Sequence, residues 1–242
     1  MNTSGTKPIP FEVGNGLRSR TAAVQRFEVF LDIPPQDCTA IVANAREKQF
    51  ERRRTVFVEG DESVQLLLTG CLKVTQLGAN GQPIIMRLSV PGDLLGYGGR
   101  PTESANFSSA STLEASSALA WKSEDFHAAV DRFPLLQRNI VRALERQLIE
   151  IDARYREVST EKVGARLSSQ LVRLLSKVGK RAEDHVEIGL SQRDLAQLTG
   201  TTLFTVSRLL SRWETLGILS GRREVVLIRN VPALLALAKD SE

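Results

Sequence analysis

Between Thr55 and Lys122 the apolar residues come in short runs: TVFV, QLLL, CLKVTQL, PIIMRLSV and SALAW. Turn-forming clusters separate them at Glu59-Gly60-Asp61, Thr69-Gly70, Gly78-Ala79-Asn80-Gly81 and Pro91-Gly92-Asp93. Runs of this length between Gly, Pro and Asn predict strands, and many short strands in succession predict a sandwich or jelly roll. Ahead of them, Thr21 to Gln49 reads as one or two short helices broken at Pro34-Pro35.

Past Pro134 the period changes. Neither Gly nor Pro occurs until Gly164, and apolar residues fall at Val141, Leu144, Leu148, Ile151, Tyr155 and Val158. Alternating steps of three and four predict one long helix carrying a seam for a second copy of the chain. Leu136 and Ile140 lie off the seam and are expected to face the β-domain. The plainer alternative is an amphipathic helix laid on its own core. The dense charge beside the seam, at Arg142, Glu145, Arg146, Glu150, Asp152 and Arg154, favours the seam.

From Glu161 onward the helices are short. KVGARLSSQLVRLLSKVG carries Val163, Leu167, Leu171, Leu174 and Leu175 on one face, and Ser191-Gln192-Arg193-Asp194 is a helix start with serine as N-cap. The helix that follows breaks at Gly200-Thr201-Thr202 and a second begins at once. Two helices crossing steeply need a small residue at the crossing, which Ala196 supplies. The turn between them needs positive φ, which Gly200 tolerates. Val206 faces back onto the first helix, Leu209 and Leu210 anchor the second, and Thr202 caps it with Thr201 alongside. These offsets predict a helix-turn-helix. Downstream, GILSGRREVVLIRN reads as two short strands around Gly221-Arg222-Arg223, a basic wing.

Charge supports that reading. From Thr160 onward 13 Lys and Arg face 9 Asp and Glu, which accounts for the whole net charge of +4; the preceding residues hold 19 of each sign. A winged helix-turn-helix in the one basic part of a chain points to double-stranded DNA. The expected DNA-contacting residues are Gln192, Thr201, Thr202, Phe204, Thr205, Ser207, Arg208 and Arg212, with Arg222 and Arg223 on the wing.

Several classes are set aside. No apolar stretch approaches 18 residues and the first residues carry no secretion signal, so a cytoplasmic protein without membrane contact is expected. A metalloenzyme on a β-sandwich wants several His with a carboxylate, and the stretch from Thr55 to Lys122 has no His; no enzyme and no metal site are expected. Cys38 and Cys71 fit a reducing compartment, with Cys71 read as a small core residue at the start of a strand. Whether either thiol senses redox state is left open.

Taken from about Phe30 to Leu237, the chain resembles the CRP/FNR family of bacterial transcription regulators. The likeness rests on "VEGD", "LTG", "PGDLLG", the long helix, "EKVGARL" and "SQRDLAQLTGTTLFTVSRLL". It implies an α+β fold. A flexible arm over 1–20 would precede a β-sandwich of cyclic-nucleotide-binding type over 21–133. A dimerisation helix over 134–159 and a C-terminal winged helix-turn-helix over 160–242 would follow. It also implies a homodimer on a two-fold symmetric operator, allosteric control through the sandwich, and RNA polymerase as a further partner. Ser207 and Arg208 match the family's "SR" pair, and Phe204 stands where many relatives carry a base-reading glutamate.

The same resemblance places an effector pocket at Leu95, Tyr97, Gly98, Arg100, Asn106 and Phe107. Cyclic-AMP-binding members hold the ribose with a glutamate and the phosphate with an arginine; Tyr97 and Asn106 occupy those positions here. Cyclic AMP is therefore disfavoured, because a buried phosphate without a cation is costly, and Arg100 is the one nearby cation. Two cysteines cannot build a four-cysteine iron–sulfur site. Haem is disfavoured because His127 and His185 both read as surface residues. No cofactor is expected and the effector is unidentified. The rival reading is a constitutive DNA binder whose sandwich is a scaffold without an effector.

Overall fold

The computed structural model describes residues 16–58, 61–79, 81–97 and 108–239. Its N-terminal half is a sandwich of two four-stranded antiparallel sheets. One sheet pairs β1 (Arg46–Phe50), β8 (Ser116–Lys122), β3 (Ser63–Thr69) and β6 (Leu94–Leu95), in that order. The other pairs β2 (Thr55–Phe57), β7 (Ser109–Thr112), β4 (Leu72–Leu77) and β5 (Pro83–Ser89).

Strand β3 shows why "QLLL" lacks the alternation of a half-exposed strand. Leu67 points between the sheets to meet Val56, Phe57, Leu72, Val74 and Leu95. Val64, Leu66 and Leu68 point the other way, onto a helical layer. Both faces are buried, so apolar residues occupy successive positions. The helical layer holds α1 (Leu17–Val24), α2 (Pro35–Ala43), α3 (Ser123–Arg132) and the start of α4 (Pro134–Thr160). Trp121, fully inside this layer, donates its indole N–H to Ile41 O at 2.8 Å.

The stretch ahead of β2 departs from the sequence expectation in two places and keeps it at Pro34-Pro35. Helix α1 begins at Leu17, inside the stretch expected to be a flexible arm. Pro34-Pro35 does separate two helices, but Pro35 opens α2, where its missing N–H costs nothing. The stretch from Arg46 to Gln49 belongs to β1 rather than to a helix. Its sequence, REKQF, hides the strand because it lies at a sheet edge with most side chains in water.

Helix α4 is a single helix of 27 residues. Leu136 and Ile140 are buried in the helical layer, and Asn139 donates to Val29 O and Leu31 O at 3.2 and 2.7 Å. Beyond that anchorage Val141, Leu144, Leu148, Ile151, Tyr155 and Val158 are all exposed, Leu148 at 59% and Tyr155 at 75%.

The C-terminal part packs α5 (Val163–Val178), α6 (Gln192–Thr199), α7 (Leu203–Thr215) and α8 (Val231–Lys239) around one core. Against them lies a sheet ordered β11 (Leu219–Gly221), β12 (Val226–Ile228), β10 (Val186–Ile188), β9 (Lys180–Arg181). The sequence reading missed β9, β10 and α8. Cys71, Ile85 and Leu88 of the sandwich join the same core, so this part is docked directly on β4 and β5.

Candidate nucleic-acid interface

Local chemistry fixes the start of α6. Ser191 Oγ accepts from the Asp194 N–H at 3.1 Å, while the Asp194 carboxylate accepts from the Ser191 N–H at 3.1 Å. This reciprocal capping satisfies two N–H groups that the helix leaves unpaired. The helix ends at Gly200, whose φ of 62° lies in the left-handed region, and both the Gly200 and Thr201 N–H groups return to Ala196 O. Thr202 then caps α7: its hydroxyl accepts from the Thr205 N–H at 3.1 Å and lies 2.9 Å from the Thr205 hydroxyl.

Helix α7 turns Val206, Leu210 and Trp213 inward. Its outer face carries Phe204, 77% exposed, with Arg208 and Arg212 one and two turns further on. Thr205 and Ser207 flank that stripe half-exposed, and Leu209 is only partly buried. The wing closes tightly, Arg222 N–H donating to Val225 O at 2.9 Å, and leaves Arg222 and Arg223 in solvent. Gln192 lies beside the wing: a Cβ placed on Gly221 would stand 3.6 Å from its Nε2. Thus α7 and the wing expose Phe204, Arg208, Arg212, Arg222 and Arg223, while Glu224 of the wing pairs with Arg52 and Arg53 of the sandwich.

A cavity lies between the sandwich and α4. It measures about 240 Å³ and is lined by Phe57, Met86, Arg87, Leu94, Tyr97 and Ile151, among others. Leu95, assigned to the pocket from sequence, is 1% exposed and points between the sheets instead; its neighbour Leu94 lines the cavity. A two-residue strand gives no periodicity from which to choose its face. Tyr97 is half-buried, edge-on to Phe126 at 5.6 Å and stacked on His127 at 5.3 Å. Gly98, Arg100, Asn106 and Phe107 lie outside the described residues. Arg87 is a cation in the wall that sequence reasoning overlooked. It pairs with Asp93 at 3.6 Å and donates to Leu94 O at 3.2 Å.

Sequence profiles account for both halves. The Crp-like helix-turn-helix domain matches residues 165–237, and the cyclic nucleotide-binding domain matches residues 47–133. The chain belongs to the CRP/FNR family of transcription regulators. It is 25% identical over 213 residues to the Cyclic AMP receptor protein of Thermus thermophilus, covering 87% of this chain and 96% of that one. It is also 25% identical to the transcriptional activator protein Anr of Pseudomonas protegens, covering 81% and 82% of the two chains. In fold it is similar to FixK2 from Bradyrhizobium japonicum, with a TM-score of 0.68 at 23% identity over 82% of this chain and 99% of that one. Its relatives are transcription regulators, not enzymes.

The remaining candidate side chains of this CRP/FNR regulator are packed rather than poised. Cys38 and Cys71 are both buried and free. Burial, reinforced by Glu114 and Asp93, pushes the Cys71 thiol up to about 12. His127, expected at the surface, is part-buried beneath Tyr97 and bonded to Ser123 O at 2.7 Å. His185 lies in the turn between β9 and β10, between Asp184 and Glu187, and those two hydrogen bonds raise its pKa. No described helix is long and apolar enough to cross a membrane, and no group of three metal-ligating side chains occurs among the described residues.

Proposed function

We propose that this CRP/FNR regulator acts as a homodimer on a two-fold symmetric operator and is controlled through its sandwich by a ligand other than cyclic AMP. The observation that carries the dimer is the apolar seam of α4, six residues at coiled-coil spacing that all remain exposed, although Leu144 and Ile151 also border the cavity against the sandwich. A second copy supplies the cover, and two-fold symmetry then presents the two recognition helices to two half-sites.

On DNA, Arg208 makes a bidentate contact to guanine O6 and N7, while Thr202 and Thr205 bind phosphate. Phe204 cannot accept a proton from cytosine N4, but its ring packs on a thymine methyl. The operator therefore departs from the family's usual half-site there, toward A·T. Arg222 and Arg223 bind backbone phosphates beside it, and RNA polymerase is the protein partner on the promoter.

The Thermus relative is named for cyclic AMP. Against that ligand here stands Tyr97, a phenol in the glutamate's place and already packed on two rings. The second reading, a sandwich without an effector, draws on Arg87: its charge is engaged by Asp93 and its N–H groups by protein acceptors. A ligand-induced rise in melting temperature counts against that second reading.

Titration of Arg208→Ala and Arg222→Ala tests the DNA assignment. Arg208→Ala is expected to cost about 1–3 kcal/mol per half-site and to relax one base position. Arg222→Ala is expected to weaken all sequences alike and flatten the salt dependence. Equal loss on operator and random DNA for Arg208→Ala would reduce it to a phosphate contact.

A further inference from the structure

The seam is one face of α4; a second face is polar and holds the chain's own winged helix. Glu150, Arg154 and Glu157 follow one another at steps of four and three, so they share that face. Glu157 binds Arg173 of α5 through both oxygens, at 2.5 and 2.9 Å. Glu150 binds Lys177 of α5 in the same manner, at 2.7 and 2.6 Å. Between them Arg154 donates to three backbone carbonyls. Leu198 O, at 2.8 Å, is in α6 two residues before the Gly200 turn. Ile85 O, at 3.3 Å, and Met86 O are in β5 of the sandwich. One guanidinium thus joins the dimer helix, the sensor sheet and the helix that leads into the recognition helix.

The geometry points to Arg154 as the positioning residue that sets the half-site spacing this regulator accepts, by fixing α6 and α7 relative to the dimer seam. A dimer reads two half-sites only if its recognition helices lie one DNA turn apart and face the groove in phase. Each base pair added between half-sites moves the second site by about 3.4 Å and turns it by roughly 35°. In the proposed dimer the distance between recognition helices is twice their offset from the seam, so any looseness at Arg154 is doubled. A planar guanidinium with several N–H donors can hold three carbonyls of two segments at once; an ammonium on a flexible stem cannot fix that geometry. Arg154 touches no base in this scheme and acts only through orientation.

The test rests on the dimeric reading and separates its failure from that one. Wild type, Arg154→Ala, Arg154→Lys and Arg173→Gln are each titrated against operators whose half-sites are moved together or apart by one and two base pairs, and against a single half-site. Wild type is expected to favour one spacing by about tenfold or more. Both Arg154 variants are expected to flatten that preference to within about threefold while binding the single half-site within about twofold of wild type. Arg173→Gln is expected to shift the profile in the same direction. An unchanged spacing profile in Arg154→Ala overturns the proposal. An equal loss on the single half-site overturns it too, by making Arg154 a folding residue. A wild-type chain indifferent to spacing would refute the dimer itself.

Discussion

Lys73 on the sandwich donates to Asp194 at 2.8 Å, and Asp194 is the carboxylate that closes the capping box of α6. One acidic side chain therefore serves both the helix-turn-helix and its docking on the sandwich. Burial alone would raise its pKa, but the hydrogen bonds from Lys73 and Ser191 hold it below the usual carboxylate value. A depressed carboxylate contributes stability that is present above its unfolded pKa of about 4 and is lost as pH falls through the folded value. Lys73→Met is expected to lower stability at neutral pH by on the order of 1–2 kcal/mol, the pair being mostly but not fully shielded. Melting temperatures of the two proteins, measured from pH 7 downward, should converge below about pH 4. A gap that persists unchanged into acid would show that the ion pair is not its source.

Cys71 offers an independent report on the same docking. Its thiol is buried where the sandwich meets the winged helix and is held as the neutral form up to about 12. Alkylation by iodoacetamide at pH 8 in a Cys38→Ser background is expected to run about a hundredfold or more slower than for a free thiol. Lys73→Met should speed it. Fast labelling of the undisturbed protein would mark Cys71 as an accessible, reactive thiol instead.

Leu148→Asp sets two carboxylates into a dry interface and removes two buried leucines, a cost on the order of 3 kcal/mol or more. Sedimentation should then give a monomer at concentrations where wild type is a dimer. An intact dimer in this variant would move the interface elsewhere.

Cyclic AMP should bind weakly or not at all, because Tyr97 offers a phenol where a carboxylate would hold the ribose. Calorimetry returning a micromolar dissociation constant would show that the pocket satisfies the nucleotide by other groups.

Legibility in the sequence followed locality. The helix-turn-helix could be read because Ser191, Asp194, Ala196, Gly200, Thr202 and Val206 satisfy one another within a few turns of chain. The seam could be read because its period repeats. Strand β1 could not, since an edge strand as polar as Arg46–Phe50 has no apolar alternation to find. Nor could the face of Leu94 and Leu95, in a strand too short to have a period. Arg154 was legible only as one charge among many beside the seam. Its partners are backbone carbonyls from two distant segments, and no side-chain spacing encodes a carbonyl.

The most direct test of the account is selection of DNA bound by the purified wild-type chain from a random pool. The expected product is an inverted repeat, with half-site centres about one helical turn apart and a G·C pair in each half-site that Arg208→Ala no longer selects. Enrichment of a single unpaired site, or of no sequence at all, would contradict a dimer reading two half-sites through α7.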